Sequence, residues 1–285
     1  MKKIFAAFLF TASILGANAQ LLYKISGKDL KEPSYILGSQ HFARISFVDS
    51  IPGLRRVMDE TQQVYGELIE ETKLPEGELD KYILLPEGVT FESLFTTEEL
   101  QRLHTYATES CHIDSFQWEM LHDLKPEAVS LYLGLKKDRL QNTGYDDYFK
   151  KQALAQGKSV GGFETYEFQT KMFFDATLER QKERLMCAID NDFKNPDEEN
   201  EHYYYTQDFK YIWERFQQGM EEACYSREEY CRMLDDRNAD WLTKMPDIMQ
   251  QKSTLFVVGF GHLPGNQGVL NLLRKAGYKV KPVKK

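Results

Sequence analysis

Two histidines are the strongest candidates for catalysis or metal binding in this sequence, and both follow turns of the same type. In each, an apolar run ends at a glycine and a histidine follows three residues later: Gly38 precedes His41, and Gly259 precedes His262. Short apolar runs bounded by turn residues are typical of buried strands, and glycine lets the chain bend sharply as it leaves a strand. The pattern predicts two strands that each present a histidine just beyond the carboxyl end.

Two glutamates occupy comparable positions. Glu67 follows the strand-like residues 64–66, and Glu164 follows the strand-like residues 160–163. The carboxyl ends of strands form the ligand crevice of an open α/β sheet, so we expect these acids to lie near the histidines. Imidazoles and carboxylates together suit Mn, Co or Zn, and Glu67 could instead act as a general base toward water. Glu164 could alternatively serve the positive N-terminus of the helix that follows it.

Arg237 is a candidate for stabilising an oxyanion. The alternative is an ordinary salt bridge to its neighbours Asp235 or Asp236. The chain contains no His-Glu-x-x-His motif, which excludes a zincin-type site.

The elements that must position these residues alternate between strand and helix patterns. This alternation predicts an α/β fold with a central sheet flanked by helices and a large helical insertion. The predicted strands cover residues 21–25, 34–37, 64–68, 159–163, 254–258 and 278–283. The predicted helices cover residues 50–62, 116–135, 146–156 and 268–275, a segment from 165 to about 225 broken near Asn195-Pro196, and two helices opened by capping boxes at Thr96 and Ser226.

An aromatic series falls at helical spacing within the long helical segment. It comprises Tyr203 to Tyr205, Phe209, Trp213 and Phe216. Such a stripe normally packs in a core. The alternative is an apolar wall over the site, which would suit a hydrophobic or extended substrate.

The N-terminus has the pattern of a secretory signal peptide. Residues 1–19 combine two lysines, an apolar stretch and the small-x-small sequence Ala17-Asn18-Ala19 before Gln20. We therefore expect an exported protein, periplasmic or secreted, with a single mature domain over 20–285. No later segment approaches the roughly 20 apolar residues of a membrane helix, so we expect no integral membrane segment after signal cleavage.

The charge of the mature chain argues against nucleic acid as a partner. The formal net charge is −8, and removal of Lys2 and Lys3 leaves 34 basic against 44 acidic residues, or −10. Binding to phosphate backbones depends on clustered lysine and arginine, which this composition does not favour.

The four cysteines, Cys111, Cys187, Cys224 and Cys231, have no metal-like spacing. In an oxidising compartment four cysteines allow three pairings. We expect a bridge between Cys224 and Cys231, because the capping box at Ser226 breaks the helix between them.

The ordered set of motifs resembles the TraB/PrgY/GumN family, whose animal relatives are the Tiki proteases. The resemblance extends from Leu22 to Val283. It rests on Gly38-Ser39-Gln40-His41, Glu67, Gly144-Tyr145-Asp146, Gly162-Phe163-Glu164-Thr165 with Gln169, Arg237-Asn238, and Gly259-Phe260-Gly261-His262-Leu263 with Gly265 and Gly268. The first turn departs from the commoner Gly-Thr-x-His in having Ser39, which keeps the hydroxyl.

The resemblance implies a mixed sheet of the erythromycin-esterase and ChaN type. It also implies hydrolysis of peptide bonds in a peptide or protein substrate with a divalent ion, manganese or cobalt, and carries the family's paired histidines and glutamate over to His41, His262 and Glu67. Glu164 and Arg237 carry over as family positions, Glu164 as a further candidate metal ligand and Arg237 as a further candidate catalytic residue. Two alternatives are a non-catalytic protein that binds a peptide or haem, and an esterase that uses His41 as a general base without metal.

Overall fold

A computed structural model describes residues 20–41, 44–137, 144–191, 207–222 and 224–283 of the 285-residue chain. The expected signal peptide, the break at Asn195-Pro196 and the aromatic residues Tyr203 to Tyr205 lie outside these ranges.

A mixed sheet of six strands forms the centre of the molecule, as the sequence predicts. The strands are β1 (Leu22–Ser26), β2 (Ser34–Ser39), β3 (Gln63–Leu68), β4 (Ser159–Glu164), β5 (Thr254–Gly259) and β6 (Lys279–Pro282). Their order in space is β4-β3-β5-β2-β1-β6. The first four in that order are parallel, whereas β1 is antiparallel to both of its neighbours.

The two strands that precede the histidine turns lie side by side in the centre of the sheet. Every residue of β2 and β5 is buried, which explains why both read as continuous apolar runs rather than as alternating patterns. Their register pairs Ser39 with Gly259. The two histidine turns therefore leave the sheet from adjacent positions at the same edge.

Thirteen α-helices surround the sheet within the described ranges. They are α1 (Leu54–Glu60), α2 (Asp80–Ile83), α3 (Phe91–Leu94), α4 (Thr97–Thr105), α5 (Ser115–Leu121), α6 (Pro126–Lys137), α7 (Tyr145–Ala155), α8 (Tyr166–Phe174), α9 (Leu178–Asp190), α10 (Phe209–Glu222), α11 (Arg227–Tyr230), α12 (Asp236–Gln251) and α13 (Val269–Lys275). A π-helical turn, Cys231–Asp235, connects α11 to α12. No helix among the described residues is both long and apolar enough to cross a membrane.

The buried apolar side chains form two clusters. The larger one covers the sheet and includes Phe256, Trp241 and Phe149. The second lies within the helical insertion, which consists of the helices between β3 and β4 together with α9. There α3, α4, α6 and α9 pack around residues such as Phe91 and Leu185. The insertion thus has an apolar core of its own beside the sheet.

One sequence prediction about the helices is confirmed and another is wrong. Both capping boxes are present, since Thr96 accepts from the Glu99 amide at 3.2 Å and Ser226 accepts from the Glu229 amide at 3.2 Å. The single helix expected over 116–135 is wrong, because the chain forms α5 and α6 instead. α5 ends at Leu121, and Pro126 opens α6 at the first helical position, where the missing backbone N–H of proline costs no hydrogen bond.

The expected bridge between Cys224 and Cys231 is also wrong. Cys224 pairs with Cys187, with a Cα–Cα separation of 6.1 Å, and Cys231 is a free thiol. The helix does break at Ser226, but Cys224 turns away with a positive φ of 54° toward the C-terminal end of α9. The thiol of Cys231 instead contacts Asp235 Oδ2 at 3.5 Å.

Candidate active site

A cavity of about 730 Å³ opens at the carboxyl edge of the parallel strands. His41, Glu67, Arg237 and His262 all line it, whereas Glu164 lies behind them and is only 5% exposed. The strands β2, β5, β3 and β4, which are consecutive neighbours, deliver His41, His262, Glu67 and Glu164 in that order. The sheet therefore brings together the side chains that the sequence singled out, and α12 adds Arg237 to the cavity wall.

His41 is held by Asp146, the second residue of α7. The imidazole Nδ1 pairs with Asp146 Oδ2, and Nε2 faces Glu67 Oε1 at 4.0 Å. Half of the His41 side chain is exposed to the cavity. Burial lowers the pKa of His41, but the Asp146 carboxylate, with help from Glu67, outweighs this and raises the pKa to about 9.

His262 has a complementary environment. Its Nδ1–H donates to Asn238 Oδ1 at 2.7 Å, and the Asn238 amide is itself oriented by donating to Gln267 O at 2.9 Å. The lone pair is therefore on Nε2, which lies 3.8 Å from Glu67 Oε1. Burial, together with Arg237, lowers the pKa of His262 to about 3. This histidine is neutral at physiological pH.

Glu67 lies between the two imidazoles. Its Oε1 accepts from the Gly259 amide at 2.7 Å, and its Oε2 accepts from Arg237 Nη2 at 2.6 Å and from Gln169 Nε2 at 3.2 Å. Burial raises the pKa of Glu67, but the positive charges of Arg237 and His41, together with the Gly259 amide, hold it well below its usual range. Glu67 is a carboxylate at neutral pH.

Arg237 and Glu164 form a bidentate ion pair beneath the cavity. Arg237 Nε donates to Glu164 Oε1 at 2.9 Å and Nη2 donates to Oε2 at 2.8 Å. Trp241 Nε1 and Gln169 Nε2 also donate to Glu164, at 2.7 and 2.8 Å. Both Glu164 oxygens are therefore fully engaged, and Arg237 pairs with two strand-end glutamates rather than with Asp235 or Asp236.

Gly259, three residues before His262, leaves space for the side chains of the site. A Cβ on Gly259 would lie 3.0 Å from His41 Nε2 and 3.3 Å from Glu67 Oε1. Its φ of −51° is accessible to any residue, so the sharp-bend explanation from sequence is not the reason for glycine here. Gly38 is similar, since a Cβ there would meet Leu263 Cδ1 at 2.7 Å.

The donor set suits a divalent ion in one respect and opposes it in another. Both histidines have Nδ1 engaged by an oxygen acceptor and Nε2 directed toward the same Glu67 oxygen, which is the usual orientation of metal-ligating imidazoles. However, Arg237 Nη1 lies 3.1 Å from His262 Nε2. Within the residues described, no three His, Cys, Asp or Glu side chains form a preassembled metal group.

Several residues of this site carry roles that sequence reasoning did not assign. Asp146, Asn238 and Gln169 appear in the family motifs, yet only the structure shows which side chain each one holds. Trp241 had no sequence signal beyond its spacing of four residues from Arg237, which places both on one helix face.

A further match to a catalytic motif lies outside the site. Residues 157–161 read Gly-x-Ser-x-Gly, but they lead into strand β4 rather than connecting a strand to a helix. Ser159 Oγ accepts from Lys252 Nζ at 2.6 Å. The segment therefore lacks the strand–turn–helix context that exposes a hydrolase serine.

Comparison with known proteins gives one family. No curated protein and no solved structure matches the chain. The profile of the TraB/PrgY/gumN family matches residues 21–282, nearly the whole sequence and all of the site described above. The chain belongs to the TraB/PrgY/gumN family.

Proposed function

We propose that this protein is a metal-dependent hydrolase, a peptidase that acts outside the cytoplasm as a periplasmic or secreted enzyme. The observation that carries the proposal is the orientation of His41 and His262. Each has its Nδ1 engaged, by Asp146 and Asn238 respectively, and each directs Nε2 toward Glu67 Oε1. Two unrelated packing histidines have no physical reason to converge in this way.

His41, His262 and Glu67 would hold the ion, with manganese or cobalt favoured and zinc an alternative for the same donors. When bound, such an ion would lower the pKa of a water molecule and polarise the substrate carbonyl. Glu164, the fourth candidate ligand, is better suited to anchoring Arg237, because it is buried behind the cavity lining and pairs with the guanidinium through both oxygens.

The side chains of the protein divide the remaining work. Glu67 is ionised and lies at the cavity wall, so instead of binding the ion it can accept a proton from an attacking water. Arg237 is fixed by Glu164 and faces the same space, so its guanidinium can stabilise an oxyanion without rearranging. His41 would bind the ion through Nε2 while Asp146 holds the proton on Nδ1, so the proton taken from the water is the one that passes to the leaving amine.

A second candidate is a hydrolase that works without metal. It is favoured by the contact of Arg237 Nη1 with His262 Nε2, which occupies the lone pair that an ion would need. In that case His41, oriented by Asp146, acts as the general base in its deprotonated form. Non-catalytic binding of a peptide or haem in the same cavity is the third outcome.

Metal analysis combined with turnover separates these functions. We expect purified protein to bind about one Mn²⁺ or Co²⁺ per chain and to cleave peptides, to lose turnover in EDTA, and to recover it with added Mn²⁺. Turnover that is unaffected by EDTA would support the metal-free hydrolase. Absence of peptide and ester turnover, with or without Mn²⁺, would contradict both enzymatic proposals.

A further inference from the structure

A glycine in the wall of the cavity has no structural explanation. Gly219 lies inside the 14-residue helix α10, where glycine destabilises a helix by about 1 kcal/mol relative to alanine. A Cβ built at this position meets no atom within 4 Å in the described part of the chain, and its φ is not in the left-handed region. Neither close packing nor backbone conformation therefore requires glycine here.

The position of Gly219 suggests a functional reason. One face of α10 lines the cavity, with the apolar residues Ile212, Phe216 and Met220, and also Arg215, at helical spacing around Gly219. A side chain at 219 would therefore project into the cavity, and its absence leaves space beside three apolar residues.

The same face is held firmly against the second histidine turn. The Phe216 ring lies edge-to-face with Phe260 at a centroid distance of 5.5 Å. A Cβ on Gly261, one residue before His262, would lie 2.9 Å from Phe216. The apolar wall and the His262 turn are thus packed together, so that a group seated on the wall lies next to the candidate catalytic residues.

Part of the remaining wall continues this apolar character, whereas Asp147, Lys150 and Gln169 line another part of it. Met233 and Leu234 contribute from the π-helical turn, and Phe173 contributes from α8 with 39% of its surface exposed. The volume of about 730 Å³ is typical of cavities that enclose drug-sized ligands, far more than activation of a water requires.

We propose that Gly219 determines specificity by opening a subsite for a large apolar side chain, aromatic or branched aliphatic, next to the bond that is cleaved. This inference rests on the proposed hydrolase function for its reaction and on the cavity wall for its specificity. The ligand it names is a peptide with Phe, Tyr or Leu beside the scissile bond.

Substitution at 219 separates stability from specificity. Gly219→Ala should raise the melting temperature by about 2 °C, because alanine favours the helix and meets no neighbour. Gly219→Phe should fold as well, with its ring occupying the subsite. Glu214→Phe adds the same ring to an exposed position of α10 and serves as the matched control.

The test is cleavage of a random peptide mixture in the presence of Mn²⁺, with products identified by mass spectrometry. We expect wild-type protein to cleave mainly beside large apolar residues, and Gly219→Phe to reduce these cleavages about tenfold to a hundredfold relative to those beside Gly and Ala. Glu214→Phe should match the wild type. An unchanged preference in folded Gly219→Phe, or a wild-type preference for charged residues, would overturn the inference.

A binding measurement distinguishes failure of the subsite from failure of the hydrolase. N-acetyl-phenylalaninamide should bind the wild type and Glu214→Phe more tightly than it binds Gly219→Phe, and N-acetyl-alaninamide should bind all three weakly. This pattern without turnover would remove the hydrolase function and support the subsite as a binding pocket. Equal binding of both amides to wild type and Gly219→Phe, with turnover intact, would remove the subsite and leave the hydrolase standing.

Discussion

At the scale of single residues, the site consists of groups whose charges are fixed by their immediate partners. His262 is kept neutral by burial, Glu67 is kept ionised by Arg237 and the Gly259 amide, and Asp146 raises the pKa of His41. Two imidazoles with unequal protonation therefore face one carboxylate. Such separation of pKa values is typical of catalytic groups with different roles.

Glu67→Gln tests the role of the carboxylate. If Glu67 accepts a proton in the reaction, the variant should lose turnover by about 10² to 10⁴. It should also melt at a somewhat lower temperature, because the new amide turns a donor toward either the Gly259 amide or Arg237. Glu70→Gln, which changes a nearby exposed carboxylate, should keep wild-type turnover. Wild-type turnover in Glu67→Gln would contradict the assigned role.

Asp146→Asn tests the state of His41 through the pH dependence of stability. The pKa of His41 is about 9 in the folded protein, above its ordinary value of 6.5. Its contribution to stability is therefore complete below pH 6.5 and is lost as pH rises through 9. In melting experiments with EDTA, the stability advantage of wild type over Asp146→Asn should shrink between pH 6.5 and 9. A constant difference would show that the pair does not titrate.

The sequence allows prediction of which residues form the site but not of how they contact each other. His41, His262 and Glu67 follow strand patterns, so their placement at one sheet edge follows from parallel pairing. The bidentate pairing of Arg237 with Glu164 depends on how α12 packs over the sheet. That packing is set by distant contacts, such as the Trp241 ring stacked on Phe163 with a centroid distance of 5.0 Å, which leave no local pattern.

At the scale of elements, a charged cluster connects the helical insertion to the helix that carries Arg237. Arg184 of α9 donates to Glu127 of α6 at 2.5 Å and to Glu229 of α11 at 2.6 Å. All three side chains are largely buried. Because α11 continues through the π-helical turn into α12, this cluster helps to fix the position of Arg237.

Arg184→Ala should therefore destabilise the protein strongly. It leaves the buried Glu127 carboxylate without the Arg184 cation, a change that typically costs about 3 to 5 kcal/mol, whereas Glu229 keeps its pair with Arg180. Arg102→Ala removes a cation whose ion pair with Asp190 is exposed, and it should cost less than about 1 kcal/mol. Urea unfolding of both variants provides the comparison. Similar, small effects in the two variants would show that the buried cluster does not hold the insertion in place.

Strands were easier to predict from sequence than the breaks between helices. All six strands lie where their patterns indicated, since buried strands give compact apolar runs. The sequence predicted one helix over 116–135, because helical periodicity continues across the break between α5 and α6. The Cys187–Cys224 bridge was not predictable, because it depends on the approach of α9 and α10 in space.

At the scale of the whole molecule, the mixed sheet carries the site on one edge and the insertion carries a separate apolar core. The family match over residues 21–282 begins just after the expected cleavage site. The specific likeness to erythromycin-esterase and ChaN-type folds stays a prediction.

Export remains a proposal that an intact-mass measurement can decide. Protein recovered from the native cell envelope or medium should begin at Gln20, because Ala17-Asn18-Ala19 has the pattern of a signal-peptidase site. A mass that retains Met1 to Ala19 would contradict processing and with it the soluble exported form.

The central claim is that His41, Glu67 and His262 act as one metal-dependent hydrolytic site. The most direct measurement is Mn²⁺-dependent peptide turnover by the double variant His41→Ala/His262→Ala, compared with wild type. Both proteins are assayed at a temperature at which their melting curves show that they are folded. We predict loss of bound metal and of nearly all turnover, with the sheet intact because both histidines lie beyond the strand ends. Wild-type turnover by the folded double variant would contradict the claim.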